Sequence, residues 1–152
     1  MISVITKVKV FLDTSALFSA VISEKGGSRQ ILKLGEAKVI SLWIGPWVLQ
    51  ELENVIARKS PQSKTYFALL LDRSNVQICK KAQGEALRQA NEVIDYRPDA
   101  QIAAEALSIE ANYFVSFDRK HLMGNPKTKE LPFPIGTAGD FLEWFKNQMA
   151  HR

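Results

Sequence analysis

Cysteine and histidine are scarce in this chain, and long apolar runs are missing. Cys79 is the single cysteine, so no internal disulfide can form and a disulfide-stapled secreted scaffold is excluded. No apolar run approaches the ~18 residues that a membrane span needs. The stretch Met1–Thr6 is too short for the hydrophobic centre of a signal peptide, and Lys7 and Lys9 interrupt its continuation. No repeat or low-complexity tract is visible. These absences leave a cytoplasmic protein without membrane association as the expectation.

The residues that are abundant fit an ordinary globular chain. Of 152 residues, 46% are hydrophobic and 24% charged, enough for one domain spanning 1–152 with a real core. The net charge of +4 is compatible with a polyanionic partner and equally with an unremarkable charge imbalance.

The stretch from Lys9 to Ser19, K-V-F-L-D-T-S-A-L-F-S, organises the rest. Residues 7–12 read as a buried strand, and 14–23 as a helix. Asp13 then sits at the carboxyl end of a strand, where open α/β sheets bind ligands. Further helices are expected at 29–36 (capped by Ser28), 47–58, 63–71, 83–93, 99–112 and 141–149. Further strands are expected at 39–42, 76–79, 113–117 and 131–135. Residues 119–129 read as a basic polar loop. Arg97-Pro98-Asp99 reads as a break, and Thr137 to Asp140 has the spacing of a capping box. Strands alternating with helices imply a parallel sheet of about five strands covered on both faces.

Two of the clearest strands end alike. Val10-Phe11-Leu12 runs into Asp13, and Phe114-Val115-Ser116-Phe117 runs into Asp118. If these strands are neighbours where the strand order reverses, the carboxylates meet in one crevice. Asp99 precedes Ile102, Ala103 and Ala106, so it heads the inward stripe of its helix, facing the positive end of the helix dipole. Clustered carboxylates repel one another unless a cation sits between them or protons are taken up. An all-oxygen set suits Mg²⁺ or Mn²⁺, which can activate water and neutralise charge on an attacked phosphate. Each acid also has a plainer role open to it: Asp13 or Asp99 as a helix cap, Asp118 and Asp95 as solvated loop residues. The match between Asp13 and Asp118 sets metal binding ahead of capping for Asp13.

Other residues are weaker candidates. Thr14 and Ser15 have no histidine nearby in sequence to activate them, so nucleophilic catalysis is disfavoured. Ser15 is better placed to support Asp13 or a metal-bound water. His121, one of two histidines, sits in the basic loop and reads as a surface residue. Glu51 and Glu53 flank the apolar stripe of their helix, each about 100° from its centre, and periodicity does not choose between them.

Four segments in order, V-F-L-D-T-S-A-L, V-L-Q-E-L-E-N-V, P-D-A-Q-I-A-A-E-A-L and Y-F-V-S-F-D-R-K-H-L, followed by I-G-T-A-G-D-F-L, resemble the PIN-domain nucleases. The resemblance is strongest to the VapC-like toxin ribonucleases. It implies a three-layer α/β/α fold with a parallel sheet in the order 3-2-1-4-5, placing strand 1 beside strand 4. It implies a Mg²⁺ or Mn²⁺ site made by Asp13, Glu51, Asp99 and Asp118, with Ser15 in support, and so takes Glu51 over Glu53. It also implies RNA as substrate, an antitoxin protein as partner, and a homodimer. Two departures stand out: a further acid near Asp99 is replaced at best by Asp95, and the threonine-glycine common before the fourth acid is Ser116-Phe117.

The leading expectation is thus a metal-dependent endoribonuclease, with Arg29, Arg119 and Lys120 as candidate contacts to the RNA backbone. A non-catalytic PIN-like module binding a protein through the helix around Tyr66–Leu71 is the alternative. A phosphatase of the haloacid-dehalogenase type is disfavoured, because Ser15 stands where a second acid is required.

Overall fold

The computed structural model describes residues 7–151. Residues 1–6, weighed as a signal segment, lie outside the described residues, as do Arg152 and the side chain of His121.

Five strands, β1 (Lys9–Leu12), β2 (Ser41–Ile44), β3 (Gln77–Ile78), β4 (Tyr113–Val115) and β5 (Ile135–Gly136), form one sheet. Its order is β3-β2-β1-β4-β5, and every pairing is parallel. Among the described residues seven helices connect or follow the strands: α1 (Thr14–Ile22), α2 (Gly27–Glu36), α3 (Pro46–Lys59), α4 (Lys64–Arg73), α5 (Glu85–Val93), α6 (Arg97–Ser108) and α7 (Ala138–Ala150). In β1, Val10, Phe11 and Leu12 are all buried. Successive strand residues point to opposite faces, so both faces of the sheet are covered, as a parallel sheet requires. This is the expected α/β fold and strand order.

The pairing of β1 with β4 is the one that matters for the site. Phe11 lies opposite Phe114 and Leu12 opposite Val115. The Phe11 and Phe114 rings stack with centroids 5.4 Å apart, and Phe133 stacks on the far side of Phe114 at 5.8 Å. Such pairs add about 0.5–1.5 kcal/mol beyond their burial, which holds the two strands in register.

Several local expectations need correction. Ser28 does not cap α2: Gly26 is the N-cap residue, and Ser28 is buried with its hydroxyl unpartnered among the described residues. Arg97-Pro98 does not break the chain but opens α6, because proline in the first turn lacks only an N–H that would be unpaired there. The basic segment is not a loop throughout. Arg119–Met123 forms a π-helical turn and Pro126–Glu130 a 3₁₀ turn, the latter capped by the Asn125 side chain, which accepts from the Lys127 N–H at 3.0 Å. The last strand is Ile135–Gly136 rather than 131–135, and Leu131 and Phe133 serve as buried pegs from irregular chain. The capping box of Thr137 and Asp140 is present at the start of α7.

Helix α3 is placed by a close contact that the sequence does not advertise. Glu105 of α6 is fully buried beneath the amino end of α3, where its Oε1 accepts from the Trp47 N–H at 3.4 Å. Its Oε2 has no hydrogen-bond partner among the described residues. Burial pushes this carboxyl up to about 7. A β-carbon on Gly45 would lie 1.6 Å from Glu105 Oε2, so only glycine lets α3 start there. Gly45→Ala is therefore expected to cost about 1–3 kcal/mol through overpacking, measured as a lowered urea midpoint with an unchanged slope.

Candidate metal centre

The register of β1 and β4 brings the two strand ends together. The Asp13 N–H donates to the Val115 carbonyl at 3.1 Å, carrying the pairing one residue past β1 and setting Asp13 beside Ser116. Asp13 is the N-cap of α1, its Oδ1 accepting from the Ala16 N–H at 3.0 Å and from the Ser15 hydroxyl at 2.7 Å. Its Oδ2 accepts a short hydrogen bond from the Ser116 hydroxyl. Capping and a site role are therefore not alternatives: one oxygen caps α1 while the carboxylate still faces its acidic neighbours.

Both serines also reach backbone on the β4 side. Ser116 Oγ accepts from the Asp118 N–H at 2.9 Å, and Ser15 Oγ accepts from the Phe117 N–H at 3.0 Å. Ser15 thus braces Asp13 against the β4 end. Ser116 was not singled out from sequence, although its position two residues before the acid is the signal that would have found it. Phe117 is among the exposed aromatics. Asp118 Oδ1 accepts from the Lys120 N–H at 3.0 Å, which opens the π-helical turn.

Asp99 occupies the third position of α6 and is half-buried, with Oδ2 buried and unpartnered among the described residues. Its carboxyl is pushed from the ordinary 3.8 to about 7, first by burial, then by the charge and hydrogen bonding of Asp118, then by the charges of Asp13 and Glu51. Burial likewise raises Asp13, opposed by its hydrogen bonds to Ser116, Ala16 and Ser15. Asp99 therefore feels all three of the other acids. Glu51 is half-buried on α3 whereas Glu53 is exposed and does not contribute. Asp95 is exposed.

Arg29, a candidate RNA contact from sequence, is committed elsewhere. It is buried, donates to the Ala20 carbonyl at 2.8 Å and the Val21 carbonyl at 3.2 Å, and sits over the Tyr66 ring. Its charge closes the carboxyl end of α1. Arg119 and Lys120 are at least partly exposed.

The donor set suits a hard divalent cation: carboxylate oxygens only, with an orphaned buried oxygen on Asp99, whose carboxyl is pushed up by burial and its acidic neighbours. Among the described residues no three acid, histidine or cysteine side chains converge closely enough to hold a metal ion. The larger clefts lie elsewhere. One of about 630 Å³, lined by Lys7, Lys9, Lys38 and Ser41, opens at the amino ends of the strands. The titratable cluster, not cleft size, marks the candidate site.

Comparison with known proteins bears on the fold that carries these acids. The PIN domain family model matches residues 9–120. The chain belongs to the PIN domain family. No curated protein matches the sequence. Among solved structures, VapBC2 from Rickettsia felis, bound to a DNA fragment from its promoter, matches with a TM-score of 0.64 and 19% identity, over 85% of this chain and 98% of that one. Mycobacterium tuberculosis VapC20, a toxin that cleaves the sarcin-ricin loop, matches with a TM-score of 0.54 and 16% identity, over 73% of this chain and 91% of that one. At those identities the likeness is one of fold. Among the described residues of this PIN domain, no helix is long and apolar enough to cross a membrane.

The raised carboxyls give the metal-free domain a distinctive pH dependence. Between the ordinary 3.8 and about 7, folded Asp99 keeps a proton that the unfolded chain has lost. Stability therefore falls as pH rises through that window. Thermal unfolding in chelator should give a lower midpoint at pH 7.5 than at pH 5. Asp99→Asn should flatten the fall, with the remainder assigned to Glu105 and Asp13.

Proposed function

We propose that this chain is a metal-dependent endoribonuclease, the toxin of a toxin–antitoxin pair, acting as a single PIN-like domain in the cytoplasm. The observation that carries the reading is the carboxyl of Asp99, half-buried, unpartnered at Oδ2 and raised first by burial and then by three other acids. Such a group is costly to hold in place for packing alone. Asp13, Asp99 and Asp118 would hold Mg²⁺ or Mn²⁺, and Glu51 would hold a second ion or orient the attacking water. A metal held there would activate a water and neutralise charge on the scissile phosphate.

The chain's own residues provide orientation. Asp13 is fixed by three donors, two from the first turn of α1 and one from the end of β4. Ser116 joins the Asp13 carboxylate to the backbone of Asp118, tying the two strand ends together. Arg119 and Lys120 lie next in sequence on an exposed turn, suited to a phosphate backbone. A small antitoxin protein as partner and a homodimer are part of the same proposal.

The test is RNA cleavage with Mn²⁺ or Mg²⁺. Asp13→Asn, which keeps a capping side chain, is expected to abolish cleavage while the protein stays folded by circular dichroism. Equal cleavage by both proteins would sink the mechanism. Ser116→Ala removes only an orienting hydroxyl, and a loss of about 10–100-fold in activity is expected. Metal binding without cleavage of any RNA would favour the non-catalytic module instead.

A further inference from the structure

Trp47 is large, apolar and 42% exposed, and it stands at the start of α3, one turn before Glu51. Its backbone is held by the Glu105 contact, so the indole is presented from a fixed point. Two cavities share it. One, of about 260 Å³, is lined by Trp47, Gln50, Glu51 and Asn54. The other, of about 320 Å³, is lined by Trp47, Asn91, Arg97 and Pro98, among others, Pro98 directly preceding Asp99 in sequence. Trp47 therefore lines both recesses, and the first of them also includes Glu51.

The lining chemistry is specific in kind. Gln50, Asn54 and Asn91 each present a carboxamide, which donates and accepts hydrogen bonds at once. Arg97 adds a planar cation. Among the described residues, none of these four side chains, nor the Trp47 indole N–H, makes a hydrogen bond. An aromatic face, an arginine plane and unused carboxamides are what splayed-out bases of a single strand require, stacking on the ring and pairing through their edges. A phosphate track would need cations instead, and only Arg97 supplies one.

We propose that Trp47 is the stacking platform for an unpaired nucleobase next to the scissile phosphate, with Gln50 and Asn54 on one side and Asn91 and Arg97 on the other reading base edges. The substrate class is then RNA that is single-stranded at the cleavage position. This rests on the nuclease reading above and deepens it: the acids cut, and the Trp47 wall selects what is cut.

The test uses the full chain in an Asp13→Asn background, so that binding is read without cleavage. The probe is a short fluorescein-labelled single-stranded RNA of mixed sequence, followed by anisotropy. Trp47→Ala is expected to weaken binding about tenfold or more, the effect of losing one stacked base. Trp47→Phe should restore most of the affinity, whereas Trp47→Leu, bulky but without a ring, should not. Because Trp47 is exposed, the Phe and Leu variants provide the comparison even if the Ala variant is unstable. Affinity within twofold across the series, with wild-type chain cleaving RNA, would overturn the stacking site and leave the nuclease standing. Leu matching Phe would also overturn it, as contact by apolar bulk alone. Absence of both binding and cleavage would overturn the site together with the nuclease reading.

Discussion

A carboxylate taken out of water at the junction of two strands is the constraint around which this molecule is arranged. Asp13 is buried, and burial works against its charge. Three hydrogen bonds offset that cost, from the Ala16 N–H and the hydroxyls of Ser15 and Ser116. The two serines in turn accept from the backbone of Phe117 and Asp118. The result is a lattice that ties the end of β1 to the end of β4. The strand register, the Phe11–Phe114 stack and the start of α1 must all be right for it to close.

Helix ends share the same electrostatic task. Asp13 caps α1, Asp99 lies in the first turn of α6, and Glu105 sits under the first turn of α3. Each carboxyl faces the positive end of a helix dipole, which eases part of the repulsion that gathering acids creates. It does not remove it, since Asp99 and Glu105 are both still pushed to about 7. The two differ in surroundings. Burial comes first for both, but Asp99 also feels three other acids, whereas Glu105 supports the backbone from which Trp47 and Glu51 project. One sits among acids; the other positions a helix.

Much of this was legible in the sequence. Apolar runs ending in an aspartate located β1 and β4, and the periodicity after Pro98 put Asp99 at the head of an inward stripe. Strand order could not come from pattern alone, because it depends on contacts between distant segments; the family resemblance supplied it. The choice of Glu51 over Glu53 likewise needed the resemblance, since both flank the same apolar stripe. The features that stayed hidden depend on tertiary contact. Ser116 looks like an ordinary strand residue until Asp13 is set beside it. Arg29 looks like a surface cation until α1 ends against it. Glu105 lies in an alanine-rich helix, and nothing local says that its carboxyl meets Gly45. Strand β5 was misplaced because Leu131 and Phe133 bury themselves without strand pairing, so hydrophobicity alone misled.

The central claim is that four carboxylates share one divalent-cation site. Calorimetric titration of the chelator-treated protein with Mn²⁺ at pH 6.5, in two buffers of different ionisation heat, addresses it most directly. Saturable binding with release of a proton is expected, because the cation displaces the proton that burial and the neighbouring acids favour on Asp99, and Asp99→Asn should bind more weakly without that release. No saturable binding by the folded protein, or binding unchanged in Asp99→Asn, would contradict it.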